Sequence, residues 1–283
     1  MVLIAIEWAE TGTRERALTA TEGSSLKGRR NRQAAIGLAL AAAIVAGWVT
    51  VHVLAVFAAD WGRLPFAAAV LTMLVQTWLC VGLFIVAHDC MHGSLAPGWP
   101  AVNRAVGRIV LFLYACFSYD RLLPPHHRHH RRPGSEADPD FHPAGRDGFL
   151  PWFAHFIRYY FGWREFLLLA AVVALYAVLL GTGVWRVLAF FALPAMLSAV
   201  QLFYFGTYRP HRQDEAGFAD RHNSRSDGFP WLVSLFTCFH FGYHHEHHLS
   251  PTTPWWRLPA LRAAKPAPAL ATPAAAAGEG RNP

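Results

Sequence analysis

Charge is scarce in this chain. Asp, Glu, Lys and Arg make up 15% of its 283 residues, against about 25% in an ordinary soluble domain. Hydrophobic residues make up 54%, and the mean hydropathy is positive. That balance excludes a disordered chain and an average soluble enzyme. Cysteine is scarce too. Cys80, Cys90, Cys116 and Cys238 are scattered without paired spacing, which excludes a disulfide scaffold. Acidic residues are in deficit, 18 against 25 Lys and Arg, leaving a formal +7 carried almost wholly by Arg. In a soluble protein that excess would raise nucleic acid as a partner. In so apolar a chain the anionic cytoplasmic leaflet takes that place, and no nucleic-acid partner is expected. What remains is an integral membrane protein with one core domain.

Two uncharged runs, Ala34–Ala59 and Leu64–Ala87, each exceed the roughly 20 residues that cross a bilayer. The tight Asp60–Pro65 link makes them a helical hairpin. A second hairpin follows, Phe166–Gly183 and Val187–Phe205, turned at Arg186. Between the hairpins, Ala105–Phe117 and Phe149–Phe161 are apolar but carry Arg108 and Arg158, the pattern of helices lying at the interface. Six Lys/Arg precede the first span, nine lie between the hairpins and eight follow the fourth span, while Arg63 and Arg186 stand alone in the outer turns. The positive-inside rule therefore places both termini and the stretch Asp89–Glu165 in the cytoplasm. Glu7 and Glu10 interrupt the opening apolar run, so no cleavable signal is expected. The expected fold is all-α and membrane-embedded: four transmembrane helices in two hairpins, interfacial helices, and a histidine-rich cytoplasmic cap. Residues 1–33 are expected to be a disordered cytoplasmic segment, 34–258 the membrane domain, and 259–283 a disordered Ala/Pro-rich tail.

Against this scarcity of charge stand 16 histidines. His88 and His92 end the second span at i, i+4, on one helix face. Pro124-Pro125 precede His126-His127-Arg128-His129-His130, and Pro133 closes it. Proline suits a helix start, so one or two helical turns are expected there, with His126, His129 and His130 sharing a face. His244-His245-Glu246-His247-His248 repeats the pattern before Pro251, aligning His244, His247 and His248. His211 lies just past the fourth span. All nine fall on the cytoplasmic side of a topology drawn from Lys and Arg alone. Neutral imidazoles in such number suit Fe, Cu, Zn or Ni, and nine are enough for two ions at about four ligands each. The spacing does not decide whether His127, His222, His240 or His245 join them. A lone interfacial histidine is ordinarily only a polar side chain, which is the reading taken for His52, His142 and His155. Asp89 and Glu246 sit inside boxes and are candidates to orient ligand rings by accepting their second N–H, or are simply solvated. Asp138-Pro-Asp140 serves either as a turn or cap or as part of the site, and Asn223 is placed to bond a metal-bound water. Trp231, Trp255 and Trp256 fit an interfacial belt.

The HxxxH, HxxHH and HxxHH boxes resemble those of the membrane-bound fatty acid desaturase/hydroxylase superfamily. The text around them narrows the resemblance. Phe84–Gly98, Asp138–His142, Tyr160–Glu165, Leu202–Thr207, His222-Asn223 and Thr237–Leu249 are similar to the bacterial β-carotene ketolases of the W type over roughly residues 34–258. Pro124-Pro125 and Arg128 depart from the pattern around the second box. The resemblance implies a non-haem di-iron oxygenase domain at 34–258, in a bacterial inner membrane with its active site on the cytoplasmic side. The nine histidines would hold two Fe, with Asp89, Glu246, Asn223, Asp138 and Asp140 as supporting catalytic residues. It implies O2 as co-substrate and a lipid-soluble carotenoid as substrate, with the C4 methylene of a β-ionone ring oxidised to a ketone. No GxGxxG opens a βαβ unit, so electrons are expected from an external, ferredoxin-type donor docking on arginines such as Arg131, Arg132 and Arg225. Those arginines fit membrane-surface contact and topology better still. A carotenoid hydroxylase or membrane lipid desaturase would keep the same site. A histidine-rich metal transporter would need ionisable groups near the span midplanes, which are nearly free of charge. A haem-binding bundle would need histidines facing each other inside the spans, where only His52 lies.

Overall fold

The computed structural model describes residues 2–142, 148–213 and 217–264. Every regular element among them is helical. Helix α1 covers Val2–Val53 and ends in a π-helical turn, Leu54–Ala58. Helix α2 covers Phe66–Met91. Helices α3 (Pro100–Ala115) and α4 (Tyr119–Arg131) meet at 101°, and α5 (Phe149–Tyr160) meets α6 (Trp163–Ala174, extended by a π turn to Leu179) at 80°. Helix α7 runs Val184–His211. Three short helices follow: α8 (Trp231–Cys238), α9 (His244–Leu249) and α10 (Leu258–Ala263).

Helix α2 is the axis of the bundle, with α1, α3 and α7 packed around it. Almost every residue from Gln76 to Met91 is buried. Its opposite end exposes Phe66, Leu71 and Leu74, apolar side chains that only a lipid environment would cover without cost. Three helices, Gly23–Ala58, Phe66–Met91 and Val184–His211, are each long and apolar enough to cross a membrane; the bent pairs bring the number to five if each counts as one crossing. The expected third span, Phe166–Gly183, is the second arm of the α5–α6 bend. The expected interfacial helices are α3 and α5.

Proline and glycine set the local geometry of α7 and of the α3–α4 bend. Pro194 and Pro210 lack an N–H, so the carbonyls four residues earlier lose their helical partner. The adjacent turns Leu188–Ala192 and Tyr204–Tyr208 widen to π geometry. Gly206 in the second of these must be glycine, because a Cβ there would lie 2.5 Å from the Phe241 ring. Gly107 likewise admits the Tyr119 ring where α3 turns into α4, a Cβ there standing 2.3 Å away.

Four expectations need correction. Residues 2–33, expected to be disordered, belong to α1: no proline precedes Pro65, and Gln33 Nε2 ties this helix to the Ser94 carbonyl at 2.7 Å. The second histidine box does not begin its helix at the prolines. The helix starts at Tyr119 and carries Pro124 and Pro125 inside it; burial of Tyr119 and Leu122 offsets the lost hydrogen bonds. Trp255 is not interfacial but buried, its ring 5.2 Å from Phe239. The tail expected from 259 still holds α10; residues 265–283 lie outside the described residues.

Candidate metal centre

The carboxy-terminal ends of α2, α4 and α7 converge on α9. Their imidazoles form two groups. His88, His92, His126 and His130 present one ring nitrogen each within 4.8 Å of one another, and His129, His211, His244 and His248 do the same. His247 joins the first group, its Nε2 standing 3.1 Å from that of His130 and its ring 4.4 Å from His88. All nine sequence-predicted ligands are therefore together, five in one group and four in the other. The helix register explains the partition. At about 100° per residue, an i, i+4 pair points nearly the same way and the i+3 residue stands to one side. In α4 the pair His126/His130 enters the first group and His129 the second. In α9 the pair His244/His248 enters the second group and His247 the first. Each HxxHH box lends one ring to the other group, so the two groups interlock.

The facing nitrogens are close. Nε2 to Nε2 distances are 2.7 Å for His92–His126, 2.9 Å for His211–His244, 3.0 Å for His244–His248 and 3.2 Å for His129–His248. Two ligands of one ion at about 2.0–2.1 Å stand about 3 Å apart. The His88 Nε2 is buried with no hydrogen-bond partner in the protein, the state of a nitrogen reserved for a metal. The donor set, neutral imidazole in buried surroundings, fits a first-row transition metal. Burial, reinforced by neighbouring imidazoles, holds His126, His130, His244, His247 and His248 well below the usual histidine range, and His92 at about 3. The rings are thus neutral and their lone pairs available.

Two ligands have their second nitrogen fixed. His129 Nδ1 donates to both Asp138 oxygens, at 2.9 and 3.0 Å. Asp138 is itself held by the Gly134 N–H at 2.8 Å and the Asp140 N–H at 2.9 Å. Burial works to lower His129, but Asp140 and the hydrogen-bonded Asp138 outweigh it and hold the ring above its usual value. Burial also pushes the Asp140 carboxyl up to about 6. His211 Nδ1 donates to the Asn223 carbonyl at 2.7 Å. Such partners fix tautomer and ring orientation.

Residues 59–168 and 161–273 match the fatty acid desaturase family model. The chain belongs to the fatty acid desaturase family. It is 50% identical over 229 residues to a beta-carotene ketolase of Paracoccus sp., covering 81% of this chain and 93% of that one. It is 40% identical over 201 residues to a beta-carotene ketolase of Haematococcus lacustris, covering 67% and 60%. A zeaxanthin 4-ketolase of Chlamydomonas reinhardtii is 36% identical over 242 residues, covering 80% and 53%.

Within this desaturase-family site several expected roles move. Asp89 does not face a ligand ring: its Oδ2 accepts the Trp255 N–H at 3.2 Å, joining the end of α2 to the segment after α9. The Glu246 carboxylate bonds the Ser226 hydroxyl and lies 3.3 Å from Arg262, fastening α9 to α10. Asn223 serves through its backbone carbonyl, while its side chain bonds the Pro133 carbonyl at 2.9 Å. Of the undecided histidines, none enters either group. His127 Nε2 reaches the Met91 carbonyl at 3.0 Å, His240 Nδ1 meets Ser234 at 3.2 Å, and His245 meets Ser224 at 3.2 Å. His222 approaches His248 only to 6.2 Å between rings. Asp138 and Asp140 sit at the site, as the D-x-D spacing after the second box allowed. Sequence reasoning missed the aromatic wall. A cavity of about 500 Å³, lined by Phe84, Phe117, Phe156, Leu169 and Val200 among others, ends on His88, His126, His129, His130 and His244. Its rim residues Phe166 and Met196 are exposed on α6 and α7, so it opens sideways from the bundle.

Proposed function

We infer that this chain is a carotenoid ketolase that oxidises the C4 methylene of β-ionone rings, taking β-carotene through the mono-ketone echinenone to the diketone canthaxanthin. One observation carries the inference: two interlocked imidazole groups close the inner end of an apolar, laterally open cavity, in a chain half identical to a beta-carotene ketolase over most of its length. The ring hydroxyls of zeaxanthin are a further substrate feature supported by the zeaxanthin 4-ketolase likeness. The two groups would hold two Fe: one on His88, His92, His126, His130 and His247, the other on His129, His211, His244 and His248. Bound there, iron supplies the activation of O2 that an unactivated allylic C–H requires.

The protein's own part is positional. Phe84, Phe117, Phe156 and Phe241 form an apolar sleeve that takes one ring of a lipid-soluble substrate and excludes water from it. The lateral opening lets the polyene and its second ring remain in the bilayer. Asp138 and the Asn223 carbonyl hold His129 and His211 to one tautomer. Each oxygenation takes one O2, two electrons and two protons, places one oxygen on carbon and releases one water. Two rounds on one carbon give a gem-diol, which loses water to the ketone. The second ring is too far along a rigid polyene to reach the same centre, so the substrate must rebind for it, and echinenone must precede canthaxanthin.

The remaining parts of the reading rest on charge and composition. The membrane domain, 34–258, would cross the bacterial inner membrane four times, α5 and α3 lying at its cytoplasmic face. The Lys/Arg asymmetry supports a cytoplasmic site. Electrons would come from a ferredoxin-type donor meeting the exposed Arg131 and Arg132. Arg225 is a poorer contact, because it stacks on Phe218 at 4.3 Å and bonds the Arg212 carbonyl at 2.6 Å. Expression in a bacterium that accumulates β-carotene, followed by chromatography of the pigments over time, tests the function. Echinenone should appear first and canthaxanthin later. Ring-3 hydroxylated products in the majority would replace the ketolase by the hydroxylase, and unchanged β-carotene would overturn both.

A further inference from the structure

The cavity is apolar except at a few points. Besides imidazoles, its polar lining side chains are Tyr114, Asp140, Tyr160 and Thr207. Tyr114 is engaged with α7 rather than with the histidine end: its hydroxyl donates to the Ala195 carbonyl at 3.3 Å and lies 3.1 Å from the Ser198 hydroxyl. The Asp140–Tyr160 pair differs. Tyr160, at the last turn of α5, donates its phenolic proton to Asp140 Oδ1. Asp140 Oδ2 lies 3.7 Å from His129 Nδ1. Phe156 packs against the Tyr160 ring at 4.8 Å between centroids, so the phenol is fixed in the cavity wall, with Asp140 between it and the His129 ring.

The proton arithmetic defines what this corner can recognise. A phenolic oxygen has one donor and two acceptor lone pairs. With its proton committed to Asp140, Tyr160 presents only acceptor capacity to the cavity. A β-ionone ring has nothing to donate to it. A ring bearing a newly formed C4 hydroxyl does, and that hydroxyl arises at the metal end of the cavity, where Tyr160 stands. We propose that Tyr160 is a positioning residue for the second oxygenation: its oxygen accepts a hydrogen bond from the C4 hydroxyl of the half-oxidised ring, keeping the carbinol at the metal end of the cavity until it becomes the ketone. The assignment rests on the ketolase reading above. It makes Tyr160 a determinant of whether the product leaves as alcohol or ketone.

The test is Tyr160→Phe, which removes the acceptor and keeps the ring. Pigments are compared at matched β-carotene consumption. One neutral hydrogen bond corresponds to roughly a 2- to 10-fold change in retention, so the ratio of 4-hydroxy to 4-keto product should rise by that factor. A second readout needs no turnover. Metal-loaded protein under nitrogen, without reductant, is offered equal amounts of β-carotene and its 4-hydroxy derivative, and the co-purifying pigment is measured. Wild type should enrich the alcohol, and Tyr160→Phe should lose that enrichment by a similar factor. Ketone production by wild type with an unmoved product ratio and unmoved enrichment would overturn the Tyr160 assignment alone. A wild type that makes no ketone would overturn the ketolase reading and this assignment with it. Should Tyr160→Phe fail to fold, the binding comparison is made on wild type with the 4-hydroxy compound against its 4-methyl ether, which cannot donate. Preference for the alcohol supports the proposal, and equal binding refutes it.

Discussion

The two imidazole groups are alike in residue type and unlike in what stands behind them. The second group has an anionic brace: Asp138 bonds His129 and is itself fixed by two backbone N–H groups. A peptide carbonyl braces His211 in the same group. Around the first group the neighbours are aromatic. Phe241 packs edge-on to His88 at 4.7 Å, and His92 and His126 meet edge-on at 4.7 Å. A carboxylate behind an imidazole raises its basicity and fixes its direction, whereas ring packing fixes direction alone. The difference teaches that the two groups would not be equivalent as metal positions. The braced group should hold its ion the more firmly, and the first group, with five imidazoles, should owe its affinity to ligand number.

The interlock gives the largest expected effect. Because each HxxHH box serves both groups, removing one ring should disturb both ions. His126→Ala and His244→Ala, one from each HxxHH box and one from each group, should each reduce ketone formation below detection. Iron measured in detergent-purified protein should fall from two per chain to one or fewer. Full activity in two such variants would break the assignment of ligands. The bracing gives the next effect. Asp138→Asn keeps an acceptor but removes the charge, and should cost roughly 10–100-fold in activity or metal affinity, with iron falling toward one per chain as the second group empties. Asp89→Ala is the control from the first box. It frees the Trp255 N–H, which costs roughly 1–3 kcal/mol of stability, read as a lower unfolding temperature with two irons still bound. Equal iron loss in the two variants would erase the distinction between the groups.

These contrasts were unevenly legible in the sequence. The nine clustered histidines were visible because helices that gather side chains on one face repeat residue types at i, i+3 and i+4, and that spacing survives without knowledge of tertiary structure. The partition into two groups was not visible: it depends on which side of α4 and α9 faces α2 and which faces α7. Asp138 was visible as a turn residue but not as the partner of His129, since it lies beyond the end of α4 at Arg131, in irregular backbone. Asp89 and Glu246 were misread for a related reason. At about 100° per residue Asp89 stands about 100° round the helix from His88, and Glu246 about 100° from His247, and here both carboxylates point at neighbouring segments. The membrane helices α1, α2 and α7 were legible from composition. The sharp α3–α4 and α5–α6 bends were not, because they depend on a close approach of Tyr119 to Gly107 and on the start of α6 at Gly162.

The smallest effect separates backbone from side chain in the bracing of the second group. Asn223 touches His211 through its carbonyl, a group every residue owns. Its own contribution is conformational: its φ is 42°, in the left-handed region that costs most L-residues roughly 1–2 kcal/mol and that glycine and asparagine adopt readily. Asn223→Gly should therefore keep the carbonyl in place. It loses the side-chain bond to Pro133, a contact worth about 1 kcal/mol, and gains chain entropy in the unfolded state. Ketone formation within roughly threefold of wild type, with iron unchanged, is expected. Asn223→Val should do worse, since a β-branched residue resists positive φ, and a displaced carbonyl would release His211. The order of the two variants decides the matter: if Asn223→Gly loses iron as severely as Asn223→Val, the side chain and not the carbonyl orients the site, and the comparison of the two groups must be redrawn around it.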